Sequence, residues 1–242
     1  MKRLGIIILA AVLVGFVAAP APAAVIDLFE YAFNIDGAVS NITLGDPVPA
    51  GVNLGGFNDT TGLGSITVTL SGAGMHYVGL FVDHEIDQAI NTFFNEFGSA
   101  IGAPGAGQTW EIDEPGYIFG DIYDNFTSSA LDNTNAINPG DFPLGEDVSM
   151  ALAWDFSLAA GETALVSFLL SDTVVPAGFY LAQTDPDSAV PGANANGGAT
   201  IYLSSTVEIR GDGEAPEPAT LLLLGSGLVA LAGLGRKRFK KA

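Results

Sequence analysis

The middle of the chain alternates apolar and polar residues with the two-residue period of a half-buried β-strand. A second run of this kind covers residues 164–170, after a turn at residues 159–162. Together with the first run, it predicts a β-hairpin with one face in a hydrophobic core. The first run has an apolar side chain at every second position, namely Val148, Met150, Leu152, Trp154 and Phe156.

Further alternating runs occupy residues 66–70 and 201–209, with Ser205 interrupting the second, and residues 25–33 and 75–82 are additional strand candidates. Gly, Asn, Asp and Pro fill the gaps between the runs, as is typical of turns. Short strands at this spacing predict a mainly β fold, in which antiparallel sheets form a sandwich-like exported domain.

One segment departs from the strand period and predicts a single amphipathic helix. Asp83 can cap the start of this helix and Gly98 its end. We expect about three helical turns, with an apolar stripe that packs against the sheets. The stripe consists of five residues at helical spacing, Ile86, Ile90, Phe93, Phe94 and Phe97.

The N-terminus predicts export through a signal peptide at residues 1–23. Two basic residues, Lys2 and Arg3, precede fourteen uncharged and mostly apolar residues at 4–17. Ala21 and Ala23 then match the small-residue pattern of a signal-peptidase site, so we expect cleavage after Ala23. The alternative is a retained membrane anchor, for which this segment is short.

The C-terminus has three consecutive parts. Pro216, Glu217 and Pro218 precede seventeen uncharged residues at 219–235, and a basic cluster closes the chain. A helix of that length spans about 25 Å, which predicts a single C-terminal transmembrane helix at the short end of the usual range. Basic residues favour the cytoplasmic side, so the preceding domain lies outside. The cluster consists of Arg236, Lys237, Arg238, Lys240 and Lys241.

This order of parts resembles the PEP-CTERM sorting signal, with Pro216, Glu217 and Pro218 as its motif. The signal would occupy residues 213–242, after an exported domain at residues 24–212. The resemblance implies sorting by exosortase, a membrane-embedded protease or transpeptidase, in a Gram-negative-type bacterium that often makes exopolysaccharide. The expected partners are signal peptidase, exosortase and exopolysaccharide, with membrane contact during sorting and a final place on the cell surface or in the extracellular matrix. The alternative is a plain anchor that is never processed.

The exported domain is strongly acidic. Between Val25 and Gly213 there are 25 Asp and Glu residues and one basic residue, Arg210, which gives a formal charge of −24. Nucleic-acid binding needs several Lys and Arg, so a nucleic-acid partner is excluded. The chain has no cysteine, which excludes disulfides, thiolate metal sites and Fe–S clusters. The acidity serves either solubility or cation binding.

Two acidic segments, residues 83–87 and 111–124, are candidates for cation binding. In the first, His84 adds a nitrogen ligand to the carboxylates, although a helix N-terminus would carry the same acidic residues. In the second, alternating carboxylates on extended chain can supply the oxygen ligands that calcium requires. Calcium is the one cofactor expected, and its predicted ligands are Glu111, Asp113, Asp121 and Asp124.

No spacing of residues indicates a catalytic site. Paired carboxylates also serve glycoside hydrolysis, but nothing beyond their presence supports that reading. We therefore expect a non-enzymatic structural or interaction protein. The alternative is a calcium-dependent carbohydrate-binding module of the exopolysaccharide matrix, in which aromatic side chains stack on sugars. The candidates for stacking are Trp110, Tyr117, Tyr123 and Tyr180.

Overall fold

The computed structural model describes residues 24–88, 92–116, 119–138, 146–174, 177–186 and 198–211, which contain eleven strands and one helix. The helix, α1 (Ile122–Thr127), lies between the seventh and eighth strands. The strands in chain order are β1 (Ile26–Ile35), β2 (Ala38–Asn41), β3 (Val52–Asn58), β4 (Leu63–Ser71), β5 (Gly74–Ile86), β6 (Phe97–Ile101), β7 (Gln108–Asp113), β8 (Ser149–Leu158), β9 (Glu162–Ser171), β10 (Tyr180–Asp185) and β11 (Ala199–Gly211).

The strands form two antiparallel sheets with a shared core. Sheet A has the order β2-β1-β5-β8-β7, and sheet B has the order β3-β4-β9-β11-β10-β6. Phe33 and Leu80 of sheet A and Val166 and Leu203 of sheet B belong to one buried apolar cluster, so the sheets pack face to face. The mainly antiparallel β architecture predicted from the alternating runs is confirmed.

The hairpin predicted for residues 148–170 is wrong in its pairing, although both runs are strands. β8 pairs with β5 and β7 in sheet A. β9 pairs with β4 and β11 in sheet B. The turn between them, where Gly161 has a φ of 85°, carries the chain from one sheet to the other. The apolar faces of β8 and β9 therefore meet across the core instead of side by side.

The predicted amphipathic helix does not form in the described part of its segment. β5 continues as a strand to Ile86, because β1 pairs with it up to the contact of Ile26 with Ile86. Phe97 begins β6, and Phe94 is 49% exposed instead of buried on a helical stripe. Ile90 lies outside the described residues. Cross-strand pairing thus overrides the local helical spacing of the aromatic residues.

The helix of the domain instead covers the outer face of sheet A. Phe126 of α1 and Phe81 of β5 are fully buried in a second, smaller apolar cluster. Small residues on the strands leave room for the helix, and an ideal Cβ at Gly79 would lie 3.1 Å from the Phe126 ring. This packing places the start of α1 beside the outer face of β7.

Both terminal predictions fall outside the described residues. These are the signal peptide at residues 1–23 and the sorting signal with its transmembrane helix from residue 213 onward. Among the residues that the structure does describe, no helix has the length and apolar character needed to cross a membrane.

Candidate functional site

Three of the four predicted calcium ligands come together at the β7 edge of sheet A. Glu111 and Asp113 are two residues apart on β7, so both side chains point to the outer face. Asp121 directly precedes α1, which packs on that face. One carboxylate oxygen from each of these three residues, here termed the acidic triad, lies within 4.8 Å of the other two. Asp124 is exposed on α1 and is not part of this group.

Hydrogen bonds orient the carboxylates of the triad. The Asn125 side chain donates to Glu111 Oε1 at 3.0 Å, and the Asp132 N–H donates to Glu111 Oε2 at 3.2 Å. The Asp121 N–H donates to Asp113 Oδ2 at 3.0 Å. These donors hold the oxygens in place, but they are uncharged and leave the like charges of the triad unbalanced.

The electrostatics of the triad favour binding of a cation. Burial raises the pKa of Glu111 to about 7. Burial also raises the pKa of Asp113, an effect that the backbone N–H groups of Asp121 and Glu114 oppose and the negative charge of Asp121 reinforces. Arg210 is the one Lys or Arg in the described residues, and it forms an exposed ion pair with Glu208 at 2.6 Å. A hard divalent cation with oxygen ligands would relieve this repulsion; calcium binding at the triad stays a prediction.

A second acidic group lies next to the triad on the same face of sheet A. Ser149 of β8 pairs with Asp113 on one side and with Asp83 of β5 on the other. Glu85, two residues further along β5, faces the same way and pairs with Asp27 of β1. The two acidic segments, distant in sequence, therefore form one continuous acidic face. The sequence alone does not show this adjacency, because it depends on the strand order β5-β8-β7.

His84 does not join the acidic residues on either side of it. Side chains alternate along a strand, so His84 faces the core while Asp83 and Glu85 face outward. Its Nε2–H donates to the Gly62 carbonyl oxygen at 3.3 Å, and complete burial lowers its pKa to about 4. The mixed nitrogen and oxygen site considered for residues 83–87 therefore does not form, and His84 is neutral at pH 7.

The aromatic residues considered for sugar stacking do not form one platform within the described residues. Trp110 packs at the edge of the core against Phe179, with ring centroids 5.7 Å apart. Tyr123 belongs to α1, on the outer side of sheet A. Tyr180 lies on β10 and points away from the core, and Tyr117 lies outside the described residues.

Comparison with known protein families concerns the C-terminal segment. The family model of the PEP-CTERM protein-sorting motif matches residues 214–238. This chain carries a PEP-CTERM sorting signal. No curated protein and no solved structure matches the chain.

The PEP-CTERM signal implies an exported protein that is sorted at the membrane with exosortase as its processing partner. The match includes Pro216, Glu217 and Pro218, so the resemblance noted in the sequence is confirmed. β11 ends at Gly211, and the signal begins three residues later at residue 214. The folded domain therefore leads almost directly into the PEP-CTERM signal, with its acidic face on the exported part of the chain.

Proposed function

We propose that this chain is a non-enzymatic structural or interaction component of the cell surface or extracellular matrix. The PEP-CTERM signal at residues 214–238 carries the proposal, because it directs the preceding β domain to membrane-associated sorting and then to the surface. The predicted signal peptide at residues 1–23 supports it from the other end of the chain. Signal peptidase, exosortase and exopolysaccharide are the proposed partners, in a Gram-negative-type bacterium.

The acidity of the domain suits such a location. A formal charge of −24 between Val25 and Gly213 disfavours contact with anionic lipid and with nucleic acid. Neutral polymers, cationic groups and divalent cations remain as favourable contacts. An acidic domain displayed outside the cell can thus take part in a matrix that divalent cations cross-link.

A calcium-dependent carbohydrate-binding module is the second candidate function. The acidic triad favours it, since three carboxylate oxygens lie within 4.8 Å of one another and calcium takes oxygen ligands of this type. The distribution of Trp110, Tyr123 and Tyr180 over different surfaces adds no support. In this candidate a sugar would be held through the bound calcium and polar side chains.

Both candidate functions are tested by measuring how much of the protein isolated matrix retains. The exported protein is mixed with matrix from its own cells, and its retention and the length of the matrix polymer are measured in calcium and in chelator. Retention without shortening of the polymer supports the structural or interaction role. Retention that needs calcium and is competed by free glycan supports the module, whereas shortening of the polymer contradicts a non-enzymatic role.

A further inference from the structure

A group of three carboxylates lies where β5 extends past the start of β8. Asp83 of β5 pairs with Ser149, the first residue of β8. Asp147 lies two residues before Ser149, just ahead of the start of β8. Asp147 is also the strongest charged neighbour of both Asp83 and Glu85. Adjacent strands lie about 4.8 Å apart, so side-chain rotation brings these three carboxylates, here termed the β5 acidic group, within reach of one cation.

One carboxylate oxygen from each residue of the β5 acidic group is buried without a partner. Asp83 is 1% exposed and Glu85 is 6% exposed. Asp83 Oδ1, Glu85 Oε2 and Asp147 Oδ1 have no hydrogen-bond partner. The hydroxyl of Ser149, fully buried on the same face, also makes no hydrogen bond of normal geometry. Buried polar atoms without partners are rare, and four of them at one place indicate a ligand.

The residues of this group repel one another, and further carboxylates lie nearby on β1. Burial, followed by the charges of Asp147 and Glu85, raises the pKa of Asp83 well above its usual range, and the nearby Ser149 hydroxyl offsets this only in part. Glu30, which pairs with Asp83 from β1, contributes a further negative charge. Removal of carboxylates from water without a counter-charge is costly. Arg210, the one Lys or Arg of the described residues, is paired elsewhere, on β11.

The donor chemistry selects a hard cation. Carboxylate and hydroxyl oxygens suit calcium and magnesium, whereas zinc and copper prefer nitrogen and sulfur, and His84 faces the core. Calcium accepts six to eight oxygens in irregular geometry, while magnesium needs a near-ideal octahedron. We propose that calcium binds the β5 acidic group through Asp83, Glu85 and Asp147, with the Ser149 hydroxyl and solvent completing its shell. This site is separate from the acidic triad and does not depend on the proposed function.

Calcium binding to the exported protein is measured in two ways. Equilibrium dialysis counts the bound calcium, and the melting temperature is followed in about 10 mM calcium or magnesium, at least tenfold above the dissociation constants of about 0.1–1 mM typical of extracellular calcium modules. A background of about 150 mM NaCl screens non-specific repulsion. The proposal predicts a calcium-specific rise of roughly 5 °C, because a ligand that binds only the folded state stabilises it.

Matched variants assign the site. Asp83→Asn with Glu85→Gln keeps the shape of both side chains and removes two charges, and Asp59→Asn with Asp172→Asn removes two exposed charges instead. Combined with Asp121→Asn, the first double variant should lose the calcium-dependent rise, and without calcium it should melt above Asp121→Asn alone because repulsion is relieved. The exposed double variant and Asp121→Asn, which disables the triad, should both keep the rise.

Three results would overturn the proposal. The first is less than half a calcium bound per Asp121→Asn chain at about 10 mM calcium. The second is an equal rise in magnesium, and the third is a rise that disappears in Asp121→Asn or that survives when Asp83→Asn/Glu85→Gln is combined with Asp121→Asn. If the double variant does not fold, Asp147→Asn takes its place, and the calcium count on Asp121→Asn, in which the triad is disabled, decides independently of either variant.

Discussion

A hydrogen-bonded group of buried side chains lies at the end of the core, behind the acidic face. Glu96 is fully buried between the sheets. Its carboxylate accepts the Ile86 N–H at 3.2 Å and the side-chain amide of Gln183. The same amide donates to the His84 carbonyl oxygen at 2.6 Å. Burial raises the pKa of Glu96 well above its usual range, so the folded domain holds this proton to a higher pH than the unfolded chain does.

The substitution Glu96→Gln should flatten the pH dependence of stability. A raised folded-state pKa gives stability that is complete below the ordinary value of 4.5 and is lost as pH rises through the folded pKa. Glu85 and Asp147 add negative charge near Glu96. In calcium-free buffer, the wild type should therefore lose more free energy of unfolding between about pH 5 and 8 than Glu96→Gln does.

Urea denaturation at each pH measures this difference, and Asp59→Asn serves as the control because Asp59 is exposed. The control should follow the wild-type curve. A curve for Glu96→Gln as steep as that of the wild type would show that Glu96 does not titrate as described.

Gly98 is required because its Cα lies too close to a core side chain for any Cβ to fit. It lies on β6, and a Cβ at this position would lie 2.3 Å from Ile112 Cγ2. Ile112 is fully buried, so Gly98→Ala should lower the free energy of unfolding by about 1–3 kcal/mol. Gly211→Ala is the control, since a Cβ there meets no atom within 4 Å, and it should change stability by less than about 0.5 kcal/mol. Equal stabilities of the two variants in denaturant titrations would contradict this account.

At the scale of elements, α1 depends on the sheet that it covers. The helix has six residues, too few to be stable alone. Asn34 of β1 is buried, and its side-chain amide donates to the carbonyl oxygens of Phe126 at 2.7 Å and Thr127 at 3.3 Å. The last turn of α1 has no basic residue. Asn34 therefore supplies donors that the C-terminal carbonyls of the helix need.

The substitution Asn34→Asp should destabilise the domain by about 2–3 kcal/mol at pH 7, because it replaces a buried donor with an acceptor. Asn53→Asp is the matched control. The exposed Asn53 side chain accepts the Gly55 N–H at 2.9 Å, a role that a carboxylate fills equally well. Thermal or chemical unfolding compares the two variants, and a loss at Asn34 no larger than at Asn53 would show that α1 is held by other contacts.

Local patterns predict the strands of this domain but not their partners. The two-residue period marks β8 and β9 correctly, yet nothing in it shows that the turn after Leu158 changes sheets. The spacing of Ile86 and Phe97 matches a helix, and only the pairing with β1 and β10 makes these residues strand. The same distinction applies to the site. The sequence alone shows Glu111 and Asp113 as neighbours on one strand. The residues of the β5 acidic group can be recognised as neighbours only when the strand order is known.

At the scale of the whole molecule, the folded domain lies between the predicted signal peptide and the PEP-CTERM signal. The Val25 N–H donates to Asp87 Oδ1 at 2.7 Å, and the Asp87 N–H donates to the Val25 carbonyl oxygen at 2.8 Å. Val25 of this hydrogen-bonded pair thus lies two residues after the predicted cleavage site at Ala23. At the other end, β11 reaches Gly211, and the PEP-CTERM match begins at residue 214.

The mature protein should therefore begin at Ala24. Ala21 and Ala23 fit the small-residue pockets of signal peptidase, and a cut there leaves the Val25 contacts intact. Intact-mass measurement and N-terminal sequencing of exported material check this expectation. Recovery of exported protein that still begins with Met1 would show that the N-terminal segment is a retained anchor.

The sorting account is tested most directly by the location of a motif variant. Pro216, Glu217 and Pro218 are replaced together by alanine, and the cells are separated into membrane, surface, matrix and medium fractions. A control carries alanine at residues 47–49, a Pro-Val-Pro loop segment of the folded domain. The account predicts that the motif variant stays in the membrane fraction, while the control and the wild type reach the surface or matrix. A motif variant that reaches the matrix or medium as well as the wild type would contradict it.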